Sequence, residues 1–499
     1  MTYLLALDQG TSSTRSILFQ QDGTVVSMAQ TELKQYYPKP GWVEHDPMEI
    51  WSSQLVTARQ ALREAGLTGK DVVSIGITNQ RETVVVWNKL TGEPIGRALV
   101  WQDRRTEPEC AGLRSQGLSD LVQRRTGLRI DAYFSATKIA WLLRHVPGAK
   151  AAAGRGDLAF GTVDSWLIWQ LTGGKVHATD VSNASRTMLL NIHTNSWDPD
   201  LLAALDVPLA MMPRVQPSCS NFGQTDSKHF GEPIVIGGVA GDQQSALFGQ
   251  ACFNAGQAKN TYGTGCFMLM HTGTQCHTSQ NNLITTSAAQ PDSKPTYAFE
   301  GSVFIGGAVV QWLRDGLQAI QSSAEIQPLC ESVPDTGGVI FVPAFTGLGA
   351  PYWQPNARGA ILGLTRGSTT AHIARAAVES IAYQSVALLL AMSRDAVQSG
   401  GLPVKELRVD GGACVNNLLM QFQADLLGIP VVRPKVIETT ALGAAYLAGI
   451  HAGIYSNLNE LASLWQVDRV FEPKMAPAQA QEKMAAWEHA VQQCALGMN

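Results

Sequence analysis

Between two short apolar runs, the segment Leu4 to Phe19 carries Asp8, Gly10, Thr11, Ser12, Ser13, Thr14 and Arg15. A turn of this composition offers backbone N–H groups, hydroxyls and a guanidinium to a phosphate, and a carboxylate able to hold Mg2+. The same residue types also make an ordinary hairpin turn. No G-x-x-x-x-G-K-[ST] occurs, and no G-x-G-x-x-G follows a strand pattern, so nucleotide chemistry here would not use either common phosphate fingerprint. Two more turns combine aspartate with glycine. In Ile234 to Gly249 an apolar strand pattern runs into a helix start at Asp242. A carboxylate beyond a strand's carboxyl end faces a cleft, close to a helix N-terminus that favours anions, although helix capping would also use an aspartate. In Lys405 to Asn417 the Asp410-Gly411-Gly412 turn lets backbone approach a flat ligand, or simply precedes a capped helix.

Arg81 and Glu82 set a fork of donors beside an acceptor, a pair able to read neighbouring hydroxyls of a small polyol. Trp101 and Phe267 could cover its CH face. Taken singly, the charged pair could be an exposed ion pair and the tryptophan a core residue.

The elements that must position these residues belong to a chain of 499 residues, long enough for roughly two or three domains. Hydrophobic residues make up 45% and charged residues 16%, a globular balance, and 37 basic against 41 acidic side chains leave a net charge of −4 that favours no nucleic-acid partner. No run approaches the roughly eighteen apolar residues of a membrane span. Asp8 interrupts the N-terminal apolar stretch too early for a signal peptide, so a cytoplasmic protein is expected. Eight cysteines without a C-x-x-C pair read as reduced, mostly buried thiols. Strand patterns at Val72 to Ile77, Val84 to Trp87, Ile234 to Ala240, Gly338 to Val342 and Leu407 to Val409 alternate with helical ones, which predicts α/β architecture. Ala374, Ala377, Ile381, Ser385, Leu388 and Met392 predict a core helix over His372 to Met392, and Met484, Trp487, Val491 and Cys494 a last one.

The three Asp-plus-glycine turns resemble the phosphate-1, phosphate-2 and adenosine elements of the actin, hexokinase and Hsp70 superfamily. Within it, Tyr133 to His145 and Gly359 to Leu364 with His372 to Glu379 are similar to segments of the FGGY carbohydrate kinases. The resemblance runs from about Leu4 to about Ala448. Gly76 to Thr83, Val100 to Arg105 and Tyr262 to Met270 resemble the branch of that family that acts on glycerol.

The resemblance implies two actin-like (ribonuclease H-like) domains, residues 1–245 and 246–499, each a mixed β-sheet flanked by helices, with a cleft between them. It implies transfer of the ATP γ-phosphoryl to glycerol, giving sn-glycerol 3-phosphate and ADP, with Mg2+. Arg81, Glu82, Tyr133, Asp242 and Gln243 would hold glycerol between walls formed by Trp101 and Phe267. Thr11, Ser12, Ser13, Arg15, Thr264, Gly307, Gln311, Gly412 and Asn416 would hold ATP. Asp8 and Asp242 would serve Mg2+, and Asp242 would be the general base. A homodimer or homotetramer is the expected assembly. A pentose or longer-polyol kinase of the same family is the nearest rival, and an actin- or chaperone-like ATPase a more distant one; a nicotinamide dehydrogenase lacks its fingerprint.

One region departs from the family. Relatives inhibited by fructose 1,6-bisphosphate carry a glycine-rich, arginine-bearing loop ahead of the Gly-Asp-Gln-Gln segment, whereas Thr225 to Pro233 has no arginine to grip a phosphate, which puts that inhibition in doubt. His229 lies near the position where other relatives carry a histidine phosphorylated by the sugar phosphotransferase system; a lone solvated surface histidine is the alternative.

Overall fold

The opening hairpin forms as its pattern predicts, from strands Tyr3–Gln9 and Ser13–Gln20, with Asp8 opposite Arg15 across the antiparallel pair. In the computed structural model, which describes residues 2–354 and 356–496, this hairpin sits in a five-stranded sheet. Its order is Val235–Gly241, Val72–Asn79, Tyr3–Gln9, Ser13–Gln20, Val25–Glu32. The first three strands are parallel. Tyr3–Gln9 reads as a continuous apolar run because both its faces are covered. Leu5 and Leu7 pack with Ile50, Leu62 and Trp166 on one side, while Leu4 and Ala6 pack with Ala445, Tyr446 and Ala448 on the other.

The second sheet has seven strands in the order Ile284–Ser287, Tyr297–Val303, Cys266–Gly273, Ala258–Tyr262, Leu407–Asp410, Val431–Pro434, Val467–Phe471. It repeats the theme of the first: Ala258–Tyr262 and Cys266–Gly273 form an antiparallel hairpin, and Ala258–Tyr262 runs parallel to Leu407–Asp410. The predicted core helix extends over Thr370–Gln398. Among the described residues it alone is long and apolar enough to cross a membrane, but it is mostly buried as a core element. The last helix, Pro477–Leu496, brings Trp487 to stack on Tyr383, ring centroids 5.2 Å apart. All eight cysteines are unpaired, and Cys110, Cys252, Cys266, Cys330, Cys414 and Cys494 are buried.

Between the sheets, helix Asp242–Gly249 crosses helix Thr439–His451 at backbone contact. A Cβ on Gly443 would stand 1.9 Å from the carbonyl oxygen of Ser245, one on Gly249 2.0 Å from that of Thr439, and one on Gly76 2.1 Å from that of Ala444. Glycine is required here for closeness of approach. Helix Thr439–His451 therefore lies directly on the first sheet although the chain reaches it only after six of the seven strands of the second.

His229 differs from the surface position expected of it. It sits in the short helix Ser227–Phe230, is 6% exposed, and packs its ring edge-on against Trp51 with centroids 5.0 Å apart. Arg59 donates to the carbonyls of His229 and Lys228, pinning the segment under helix Pro47–Glu64. Burial lowers the basicity of the imidazole.

Because the seam has no space for a methyl group, Gly443→Ala should destabilise the protein by about 1–3 kcal/mol. Gly112→Ala, in helix Glu107–Ser115 with open space around it, should be neutral or slightly stabilising. Urea unfolding midpoints of the two variants against the parent would check the contrast.

Candidate active site

Three parallel strands end in one row, with Gln9 and Gly241 flanking Asn79. Just beyond it lie Gln80-Arg81-Glu82 and Asp242. Capping, the alternative open for Asp242, is not its role: Gly241 occupies the cap position and Asp242 is the first helical residue. Its Oδ1 accepts from the Gln243 N–H at 2.7 Å and forms an ion pair with Arg81 Nε at 2.9 Å. Glu82 adopts φ 60°, in the left-handed region that disfavours a side chain, and Ser135 Oγ donates to its carbonyl at 3.0 Å. Non-glycine residues held in this way cluster at functional sites.

Arg81 and Glu82 are not an exposed pair: they are 3% and 1% exposed. Arg81 clasps Glu300 through Nη1 at 2.5 Å and Nη2 at 2.9 Å. Arg186 donates from Nε to Glu82 Oε1 at 2.6 Å and from Nη2 to Glu300 Oε1 at 3.0 Å. The fork of Arg81, expected to face substrate hydroxyls, is thus largely engaged by carboxylates. Lys259, fully buried, donates to Gln243 Oε1 at 2.5 Å and to Thr261 Oγ1 at 2.8 Å. Burial would raise the Glu300 pKa, but Arg186 and Arg81 override it and pull the carboxyl down to about 2. At Asp242 burial prevails over Arg81 and lifts the carboxyl to about 6; burial lowers Lys259 to about 8.

Glu300, Arg186 and Lys259 were not among the residues expected at the site. Each lacks a motif; the signal for Glu300 is a lone charge within the apolar run Tyr297–Val303.

An aromatic corner closes the cluster. The Trp101 ring lies edge-on to Tyr133 at 5.6 Å and to Phe267 at 6.4 Å between centroids. Tyr133 is held from behind by Lys138, buried and lowered to about 8 by desolvation, whose ammonium donates to the carbonyls of Ala132, Tyr133 and Phe134 at 2.7–2.9 Å. Arg81, Glu82, Trp101, Tyr133, Asp242, Gln243 and Phe267 therefore stand together as expected.

The phosphate-type residues adjoin them. Trp101 Nε1 donates to Thr11 Oγ1 at 2.9 Å, joining the aromatic corner to the first hairpin turn. Ser13 closes that turn by accepting the Gly10 N–H at its carbonyl. Arg15 bridges Asp8 at 2.5 Å and Glu438 at 2.6 Å, a contact the sequence reading did not include. In the second hairpin the Thr264 carbonyl accepts from the Gly306 and Ala308 N–H groups, and Gly307 caps helix Ala308–Asp315, which carries Gln311. Gly411, at φ 83°, abuts the backbone of Tyr262, bringing the Gly412–Asn416 turn to the same hairpin. Asn416 Oδ1 accepts from the Leu419 N–H, so the helix cap anticipated as an alternative reading is present.

A further segment, unread in the sequence, braces the strand ends. Asn183 and Asn79 exchange side-chain hydrogen bonds at 2.9 and 3.1 Å, and Ser182 Oγ accepts the Gly241 N–H at 2.9 Å. Asp180, buried, caps the short helix Val181–Ala184 through the Ser182 and Asn183 N–H groups.

Residues 3–249 match the model of the FGGY family of carbohydrate kinases, N-terminal domain, and residues 258–452 that of its C-terminal domain. The chain is 70% identical to the glycerol kinase of Delftia acidovorans over 496 residues, covering 99% of this chain and all of that protein. It is likewise 70% identical to the glycerol kinase of Paracidovorax citrulli, over 505 residues with the same coverage. Its structure is similar to that of Plasmodium falciparum glycerol kinase with ADP, with a TM-score of 0.91, 37% identity, and coverage of 99% of this chain and 98% of that one. A xylulose kinase from Lactobacillus acidophilus, at 21% identity, shares the fold with a TM-score of 0.87 over nearly all of both chains.

The Asn79–Asn183 pair leads to an energetic expectation. Asn183→Ala strands a buried amide and should cost about 1–3 kcal/mol. The Asn79→Ala, Asn183→Ala double variant should cost less than the two singles added together. Chemical denaturation of the four proteins completes the cycle.

Proposed function

The chain belongs to the FGGY family of carbohydrate kinases, and from that premise we propose that it transfers the γ-phosphoryl group of ATP to a terminal hydroxyl of glycerol, giving sn-glycerol 3-phosphate and ADP. The observation that carries this reading is Asp242. Its carboxylate is paired with Arg81, set among polar groups and aromatic walls, and adjacent to the strand ends that carry the phosphate hairpin. Full-length likeness to glycerol kinases at 70% identity supports glycerol over a pentose or a longer polyol.

Glu82, Arg81 and Gln243 bind and orient the polyol, while Trp101, Tyr133 and Phe267 cover its carbon face. Asp242 accepts the hydroxyl hydrogen in a hydrogen bond and takes the proton late, as the oxygen attacks in line; an alcohol is far too weak an acid to give it up beforehand. A carboxyl lifted to about 6 is still ionised near neutral pH and is more basic than an ordinary one. The Thr11 to Ser13 turn and the Thr264 turn offer donors to the phosphates, Gln311 and the Gly412–Asn416 turn support the nucleoside, and Arg15 compensates charge. Positioning and preorganised charge then supply most of the rate.

The described residues contain no group of three or more His, Cys, Asp or Glu side chains able to hold an ion on their own. Two carboxylates at the ends of the strands on either side of Val72–Asn79, Asp8 and Asp242, suit Mg2+ that arrives with a nucleotide, since this ion binds through one or two carboxylates plus phosphates. When bound, it neutralises charge on the transferring phosphoryl group. We place the reaction in the cytoplasm.

Asp242→Asn should fold and bind nucleotide yet lose turnover by a factor of about 100 or more. In the parent, turnover should fall as pH drops below about 6, where Asp242 becomes neutral, while ATP affinity stays level. Coupled ADP release reads both; a variant within about threefold of the parent would remove Asp242 from the role. Glu82→Gln should raise the glycerol KM well above any change in the ATP KM, measured in the same assay; equal changes would make Glu82 a support of the fold.

A further inference from the structure

We propose that Glu300 is a positioning residue for phosphoryl transfer, one carboxylate from the second sheet that sets the aim of both the general base and the polyol-binding Glu82 through two arginines. The inference rests on the function proposed above. Glu300 lies mid-strand in Tyr297–Val303, between Leu269 and Ile284 on the neighbouring strands, and is wholly buried. A carboxylate is retained at such a place only with charged partners. Its partners come from the other half of the molecule: Arg81 and Arg186 fall within residues 3–249, matched by the N-terminal family model, and Glu300 within 258–452.

A guanidinium is planar, so fixing its two terminal nitrogens fixes the position of its Nε. Glu300 takes both terminal nitrogens of Arg81, at 2.5 and 2.9 Å, with Nη1 also donating to Gln244 Oε1 at 3.1 Å, and this places the remaining Nε 2.9 Å from Asp242 Oδ1 as an ion pair. It takes Nη2 of Arg186 at 3.0 Å, and the Nε–H of that arginine points to Glu82 at 2.6 Å. Among the described residues Nη1 of Arg186 is buried without a hydrogen-bond partner, so Glu300 and Glu82 supply the hydrogen bonds that orient a guanidinium otherwise lying over the Tyr133 and Phe134 rings. The residue that aims the base is thus on one side of the molecule and the base on the other. Asp242 and Glu82 are correctly held only while the two sheets are together. Glu300 acts through the arginines and not on the substrates.

Glu300→Gln keeps the shape and removes the charge. Its kcat should fall, and its glycerol KM rise, each by about tenfold or more, with the ATP KM within about threefold of the parent. Glu300→Asp, which keeps the charge with a shorter reach, should recover part of both losses. Calorimetric ATP binding counts the folded sites, so that kcat is expressed per active site. If Glu300→Gln does not fold, Arg186→Lys decides: it keeps the positive charge, loses the planar fork, and should raise the glycerol KM about tenfold while changing kcat less. Parent-like kcat and glycerol KM per folded site, or equal rises in both KM values, would overturn the proposal. A parent enzyme without glycerol-dependent ADP release would instead overturn the function on which it rests.

Discussion

Charge that has been taken out of water must find opposite charge, and at the centre of this molecule that requirement is met only by bringing distant parts of the chain together. Three cations, Arg81, Arg186 and Lys259, lie buried with Glu82 and Glu300 and with the partly exposed Asp242. No sheet supplies both signs in full. Buried ion pairs of this kind add little net stability, since desolvation offsets most of their attraction. Their effect is geometric: many relative positions of the two sheets could satisfy apolar packing, but very few satisfy this set of donors and acceptors.

The frame around the cluster is correspondingly tight. Helices Asp242–Gly249 and Thr439–His451 cross with no room for a methyl group, and the Asn79–Asn183 pair ties the loop carrying Arg81 to the helix preceding Arg186. Glu82 keeps a left-handed backbone that a free loop would relax. A rigid surround of this sort is what allows charged groups to be already in place when charge develops on a reacting phosphoryl group, instead of reorganising as water would.

What could be read from the sequence was local. The first hairpin, the Asp242 turn and the Asp410 turn each declare themselves within about fifteen residues, through short apolar runs broken by glycine and a carboxylate. Arg81-Glu82, Trp101 and Phe267 were legible because they sit in long family-like segments. Glu300, Arg186 and Lys259 were not, because nothing near them in sequence announces a partner; Arg81 and Glu300 are 219 residues apart. His229 was misjudged for a related reason: its polar neighbours in sequence suggest a surface, while its burial is decided by Trp51 and Arg59 from a distant helix. Choosing between a cap and an N1 position at Asp242 turned on a single residue, finer than any pattern of composition resolves.

Helix Thr439–His451 has a bearing on how the chain matures. It covers the face of the first sheet formed by Leu4, Ala6, Ile17 and Phe19, yet it is made after almost the whole of the second sheet. During synthesis the first strands can pair and bury their opposite face under helices Pro47–Glu64 and Val163–Leu171, both made before the second sheet begins. The remaining face gains its cover only with residues 439–451, some two hundred residues beyond helix Asp242–Gly249. Vectorial folding, in which an N-terminal unit finishes before its successor begins, is therefore closed to this protein. Its first half becomes complete only when its second half is nearly finished.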